Sequence, residues 1–216
     1  MKIKIAILVL TLTLPFAAGA RSIHYGSVDH PELLSCDALQ WRGQLNDAEL
    51  CYRRLLDSDV PPAIRAEAAW ALSDFQLANQ LFRDAAALAP DDAVIRVRWG
   101  DLFADTHQDG EAMNLYREAM QLDENNGFAY VGAAGVLAGG FDDAANSFLE
   151  PLLADDTLHA GARLSAWLLV SRLSLESSNY SQAAEAMDNA EELLVAGDWP
   201  PVELYALRAS HDLLHN

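Results

Sequence analysis

Apolar side chains recur along this chain at helical spacing, and the recurrence itself repeats. A turn, a polar or acidic pair, Ala, and a large side chain four residues later return five times. The copies are Gly43-Gln44-Leu45-Asn46-Asp47-Ala48 with Tyr52, then Gln76-Leu77-Ala78 with Phe82. Next come Asp109-Gly110-Glu111-Ala112 with Tyr116, Gly140-Phe141-Asp142-Asp143-Ala144 with Phe148, and Asn179-Tyr180-Ser181-Gln182-Ala183 with Met187. The five alanines are spaced 30, 34, 32 and 39 residues apart. A fixed period of this size predicts a tandem array of helical hairpins.

Alignment of the copies places Cys36, Ala66, Gly100, Gly132 and Ser171 at one position of the first helix. All five are small, as are the five alanines of the second helix. Small residues let two helices approach until the ridges of one fill the grooves of the other. Tyr52, Phe82, Tyr116, Phe148 and Met187 then fill the space between hairpins. Pro61-Pro62 and Pro200-Pro201 read as helix starts, since proline is tolerated in a first turn. The segment Val202 to His215 predicts a last amphipathic helix.

This pattern resembles the tetratricopeptide repeat (TPR), a helix–turn–helix unit of 34 residues. The third copy matches best, with Trp99-Gly100, Phe103, Ala112, Tyr116 and Ala119 in the family register. The resemblance implies an all-α fold: a right-handed superhelical solenoid of about five repeats plus a C-terminal capping helix or half repeat. The expected organisation is a signal peptide over 1–20, a loose lead-in over 21–30, the array over 31–200 and the last helix over 201–216. Two departures stand out. The first copy lacks the Trp and Gly. The fourth carries Pro151 inside its second helix, which predicts a kink or early stop. The longer last spacing predicts a longer helix or loop near Ala154 to Ala160.

The first twenty residues alter this picture. Lys2 and Lys4 precede an uncharged, mostly apolar run, and Ala18-Gly19-Ala20 closes it. That is the pattern of a cleaved secretory signal, too short to span a bilayer. The expected location is periplasmic or secreted. Removing residues 1–20 takes the formal charge from −18 to −20, because they hold two lysines and no acid. So acidic a chain repels phosphate backbones, which argues against nucleic acid, and no membrane insertion of the mature chain is expected.

Catalytic constellations are sparse. His211 and His215 stand one helical turn apart, but Asp212 replaces the Glu that zinc peptidases place there, and no third ligand is evident. There is no Gly-rich phosphate loop, and Gly-x-Ser-x-Gly is absent. No enzyme activity, metal or cofactor is expected. Cys36 and Cys51 lie at equal distances from the first hairpin turn, so they face each other. A disulfide and two packed thiols both remain open readings.

The family resemblance implies a protein or peptide partner held on the concave face, lined by the first helix of each pair. The groove residues so mapped are Trp70, Arg98, Asp101, Tyr130, Val136, Leu137, Leu168, Leu169 and Arg172. The fourth and fifth copies supply an apolar stretch. Arg98 and Arg172 either clamp a carboxylate of the partner or neutralise Asp101 and Glu176 locally. The function read from this is an exported, non-enzymatic scaffold, with a role in envelope assembly among the options. Two alternatives stand beside it. One is the repeat region of a larger exported protein, such as one with a metallopeptidase-like domain. The other is self-association as a homo-oligomer.

Overall fold

The computed structural model describes residues 21–139 and 145–215. The signal pattern over 1–20 and the fourth hairpin turn, including Ala144, lie outside the described residues. Those described form helices and no strands. They run α1 (Pro31–Trp41), α2 (Leu45–Leu56), α3 (Pro62–Ala71), α4 (Phe75–Leu88), α5 (Ala93–Asp105) and α6 (Asp109–Leu122). Then follow α7 (Gly127–Gly139), α8 (Ala145–Ala154), α9 (Ala160–Glu176), α10 (Tyr180–Gly197) and α11 (Val202–His215). Consecutive helices pack as five antiparallel hairpins, and α11 lies against both α9 and α10.

Four of the hairpin turns share one backbone solution. Gly43, Ser73, His107 and Ser178 each take the left-handed conformation just after the first helix. The next residue's N–H reaches back five residues: Gln44 to Leu39, Asp74 to Ala69, Gln108 to Phe103, and Asn179 to Ser174. This closes the orphan carbonyls of the first helix in a Schellman arrangement. The same residues then start the second helix. Asp74 and Asn179 accept from the backbone N–H groups of Leu77 and Gln182. One residue thus ends one helix and begins the next, which keeps the hairpins tight.

The paired small and large positions meet as the alignment predicts. The Tyr116 ring lies between α5 and α7, where a Cβ on Gly100 would come within 2.8 Å of it and one on Gly132 closer still. Only glycine leaves room for the ring on both sides. Pro151 does not end its helix, because α8 continues to Ala154 and buries Leu149 and Leu152. The extra length of the last period sits in α9, with 17 residues against 10 to 14 in the preceding helices.

The first hairpin, the least like the family, is closed covalently. Cys36 of α1 and Cys51 of α2 form a disulfide with their Cα atoms 5.4 Å apart. No helix among the described residues is long and apolar enough to cross a membrane.

Candidate functional site

The first helices carry an acid directly after the small residue in three successive hairpins: Asp37 after Cys36, Glu67 after Ala66, and Asp101 after Gly100. Their shared register points them into the groove. Two arginines meet them there. Arg98 on α5 donates from Nε to Glu67 Oε1 at 2.7 Å and from Nη1 to Asp101 Oδ2 at 2.7 Å. Its guanidinium also stacks 4.8 Å over the Trp70 ring, a cation–π contact. The second arginine is Arg21. It comes from the segment expected to be a loose lead-in, and it donates to both Asp37 and Glu67.

The lead-in is therefore the occupant of the groove. Arg21, His24 and Tyr25 are all at least nine-tenths buried. The Ser22 carbonyl accepts from Arg98 Nη2 at 3.2 Å. His24 Nε2 lies 3.0 Å from Asp37 Oδ2. Tyr25 reaches the far end of the array. Its hydroxyl donates to Glu203 Oε2 on α11 at 3.2 Å, and its ring meets Trp199 edge-on. The Tyr25 backbone crosses the start of α9 so closely that any Cβ on Gly161 would run into its carbonyl oxygen.

Charge states follow from these contacts. Asp37 takes hydrogen bonds from Arg21, His24 and Tyr52. Against the penalty of burial, Arg21 above all holds its carboxyl well below the usual range. Burial would raise Glu67 too, but Arg98 and Arg21 overcome that and hold it at about 2. Burial pushes His24 below its ordinary value, so it is neutral near pH 7 and donates from Nε2. Asp101 goes the other way: burial raises it despite Arg98 and the Tyr116 hydroxyl, which donates at 2.8 Å. Asp105 keeps solvent access at the rim. The protein around it displaces enough water, with Asp101 alongside, to raise it to about 7.

The sequence-derived groove residues separate into three sets. Trp70, Arg98 and Asp101 come together in the ionic cluster, with Trp70 and Arg98 buried. Leu168 and Leu169 are buried rather than open to a partner. Leu168 packs with Tyr25 against α10, and Leu169 faces α7 and α8. Tyr130, Val136 and Leu137 are half-buried, and Arg172 is exposed. The expected open apolar strip is thus reduced to part of α7, because the chain's own segment and neighbouring helices cover the rest. Arg98 does neutralise Asp101 locally, as one of the two readings holds, and it also spans to Glu67 on the preceding hairpin.

Arg21, His24, Tyr25 and Asp37 escaped the sequence reading. The acid-after-small register of the first three hairpins was the available signal, since it leaves a row of carboxylates that requires cations. His211 and His215 lie tilted against each other beside Tyr180, their ring centroids 5.3 Å apart. Among the described residues, no group of three or more His, Cys, Asp or Glu is placed to hold a metal ion.

No protein-family model matches the chain, and no curated protein matches its sequence. Solved structures do match. A thermophilic TPR protein of Thermus thermophilus superposes with a TM-score of 0.64 at 16% identity, over 85% of this chain and 98% of that one. YrrB, described as a TPR protein with an unusual peptide-binding site, gives 0.43 at 20% identity, over 77% and 87%. The first likeness, with the hairpin geometry, shows the fold: an all-α TPR solenoid.

Proposed function

We propose that this chain is an exported, non-enzymatic scaffold that holds an extended segment of a protein partner along its concave face. The observation that carries this reading is the groove's present occupant. Residues 21–25 lie there in contact with side chains of α1, α3, α5 and α11. The occupant is an irregular segment that turns at Tyr25 and Gly26, and a surface that binds one such segment has the chemistry to bind another. A partner reaches the part left accessible, around Tyr130, Val136, Leu137 and Arg172, or displaces residues 21–28. Export is supported by the signal pattern of residues 1–20 and by the Cys36–Cys51 disulfide, which suits an oxidising compartment.

The test is photocrosslinking in the cell that makes the protein. A photoreactive residue at Tyr130, Val136 or Arg172 is expected to trap a defined partner. The same residue at Arg117 or Glu118, exposed on the second helix α6, is expected not to trap it. Equal trapping from both sets would remove the groove from the proposal.

A second reading rests on α11, whose outer face exposes Val202, Tyr205, Leu213 and Leu214. Exposed apolar residues at the end of a stack favour end-to-end association with another copy. Light scattering on the mature protein separates this reading from a monomeric scaffold.

A further inference from the structure

The groove holds more negative charge than its arginines neutralise. Asp37, Glu67, Asp101 and Asp105 supply four carboxylates against the two guanidiniums of Arg21 and Arg98. The other titratable groups facing the cluster, His24, Tyr52 and Tyr116, add no positive charge at neutral pH. Three of the carboxylates have an arginine within ion-pair distance. No arginine lies at that distance from Asp105 among the described residues; its neighbour there is the Ser22 backbone, whose carbonyl accepts from Arg98 Nη2 at 3.2 Å and whose amide favours the charged form of Asp105.

The neighbourhood of Ser22 and Asp105 also brings the preceding backbone nitrogen near that carboxylate. Consecutive backbone nitrogens are at most ~3.7 Å apart by covalent geometry. Adding the reach of a loose amide contact puts the Arg21 nitrogen within about 8 Å of the Asp105 carboxylate. In an intact chain this nitrogen is a neutral amide. We propose that the groove is a binding site for the chain's own mature N-terminus, in which Asp105, backed by Asp101, pairs with the α-ammonium that cleavage before Arg21 creates.

The step is a hydrolysis. A peptidase adds one water across the Ala20–Arg21 amide, Ala20 leaves with the new carboxylate, and the Arg21 nitrogen takes protons to become an ammonium. The site gains a cation where its charge is least compensated, and the first three hairpins reach their full stability only after the cut. Export processing and completion of the fold are thereby coupled. The source of the cut rests on the export reading; the site itself does not.

The sequence makes the test unusually clean. Every lysine lies before the cut, at Lys2 and Lys4, so a chain beginning at Arg21 has the α-amine as its one primary amine. An amine-reactive acetyl ester therefore reports on that group alone. The experiment takes residues 21–216 and follows acetylation against pH, native and in urea. Native labelling is expected to be at least tenfold slower than in urea. The native amine is expected to titrate above the ordinary ~7.7–8.0 of an α-amino group. Asp105→Asn is expected to restore much of the rate and lower that pKa, while far-UV circular dichroism confirms that the variant folds. Native labelling as fast as in urea, with an ordinary pKa, would overturn the site and leave the export reading intact. N-terminal sequencing of the protein from its own cell tests the cut separately, and a start elsewhere than Arg21 would overturn the coupling.

Discussion

The Tyr25 hydroxyl and the Glu203 carboxylate are hydrogen-bonded although 178 residues separate them. A helical-repeat array ordinarily contacts only its nearest neighbours along the stack. Here one short segment ties α1 and α3, through Arg21, to α11, through Tyr25. Burial raises Glu203 above the usual carboxylate range, with Arg172 and the Tyr25 bond opposing the rise.

Tyr25→Phe removes that tie and little else. Loss of a hydrogen bond to a half-buried carboxyl is expected to cost about 1–2 kcal/mol. The loss should concentrate at the two ends of the array. Hydrogen exchange is expected to quicken in residues 21–28 and α11, with α4 and α6 unchanged. Uniform quickening would show that the segment does not couple the ends.

The Tyr116 slot makes a paired prediction. Gly132→Ala places a methyl group against the ring and is expected to destabilise by about 1–3 kcal/mol, the usual cost of overpacking. Gly135→Ala, one turn on, meets nothing within 4 Å and is expected to stabilise by roughly 0.5–1 kcal/mol through helix propensity. Urea unfolding of the two variants reads the contrast directly.

That slot also shows how far the sequence could be read. Gly100, Gly132 and Tyr116 encode their contact through size alone, so the hairpin register was visible in spacing. The occupant of the groove was not. Residues 21–28 have no periodicity, and Arg21 meets its partners 16 and 46 positions away. Local pattern reports helical faces; it carries no record of which distant carboxylate an arginine will find. Leu168 and Leu169 misled for the same reason, since they read as open apolar positions until Tyr25 and the flanking helices cover them.

Stability should respond to pH from two directions. Glu67 is held at about 2 in the fold, below its unfolded value of 4.5. Its contribution is complete above that unfolded value and is lost as pH falls toward 2, and Asp37 acts in the same sense. Asp105 is opposite. With its carboxyl raised from 3.8 to about 7, its contribution is complete at low pH and is lost as pH rises through 7. Urea midpoints are expected to fall below about pH 4.5. Between pH 5 and 8, Asp105→Asn should lose less stability than the parent. An identical loss would show that Asp105 does not titrate in that interval. With a free amine at Arg21 the parent's alkaline loss should shrink.

The disulfide should matter most where the core is least family-like. Replacing Cys36 and Cys51 by alanine opens a loop of 15-residue separation and is expected to cost about 3 kcal/mol by the chain-entropy argument. Because Asp37 follows Cys36 directly, part of the loss should appear as faster exchange at residues 21–28. Reduction that leaves the urea midpoint unchanged would show that packing alone holds the first hairpin.

The most direct test of the groove separates it from its occupant. Residues 29–216 are titrated with a synthetic peptide of residues 21–28, Arg-Ser-Ile-His-Tyr-Gly-Ser-Val, by calorimetry, with a second peptide carrying Arg21→Ala. Saturable binding of the first, weakened at least tenfold in the second, is the predicted result. A shortened chain that keeps its helicity and binds neither peptide would contradict a groove built to hold a peptide segment.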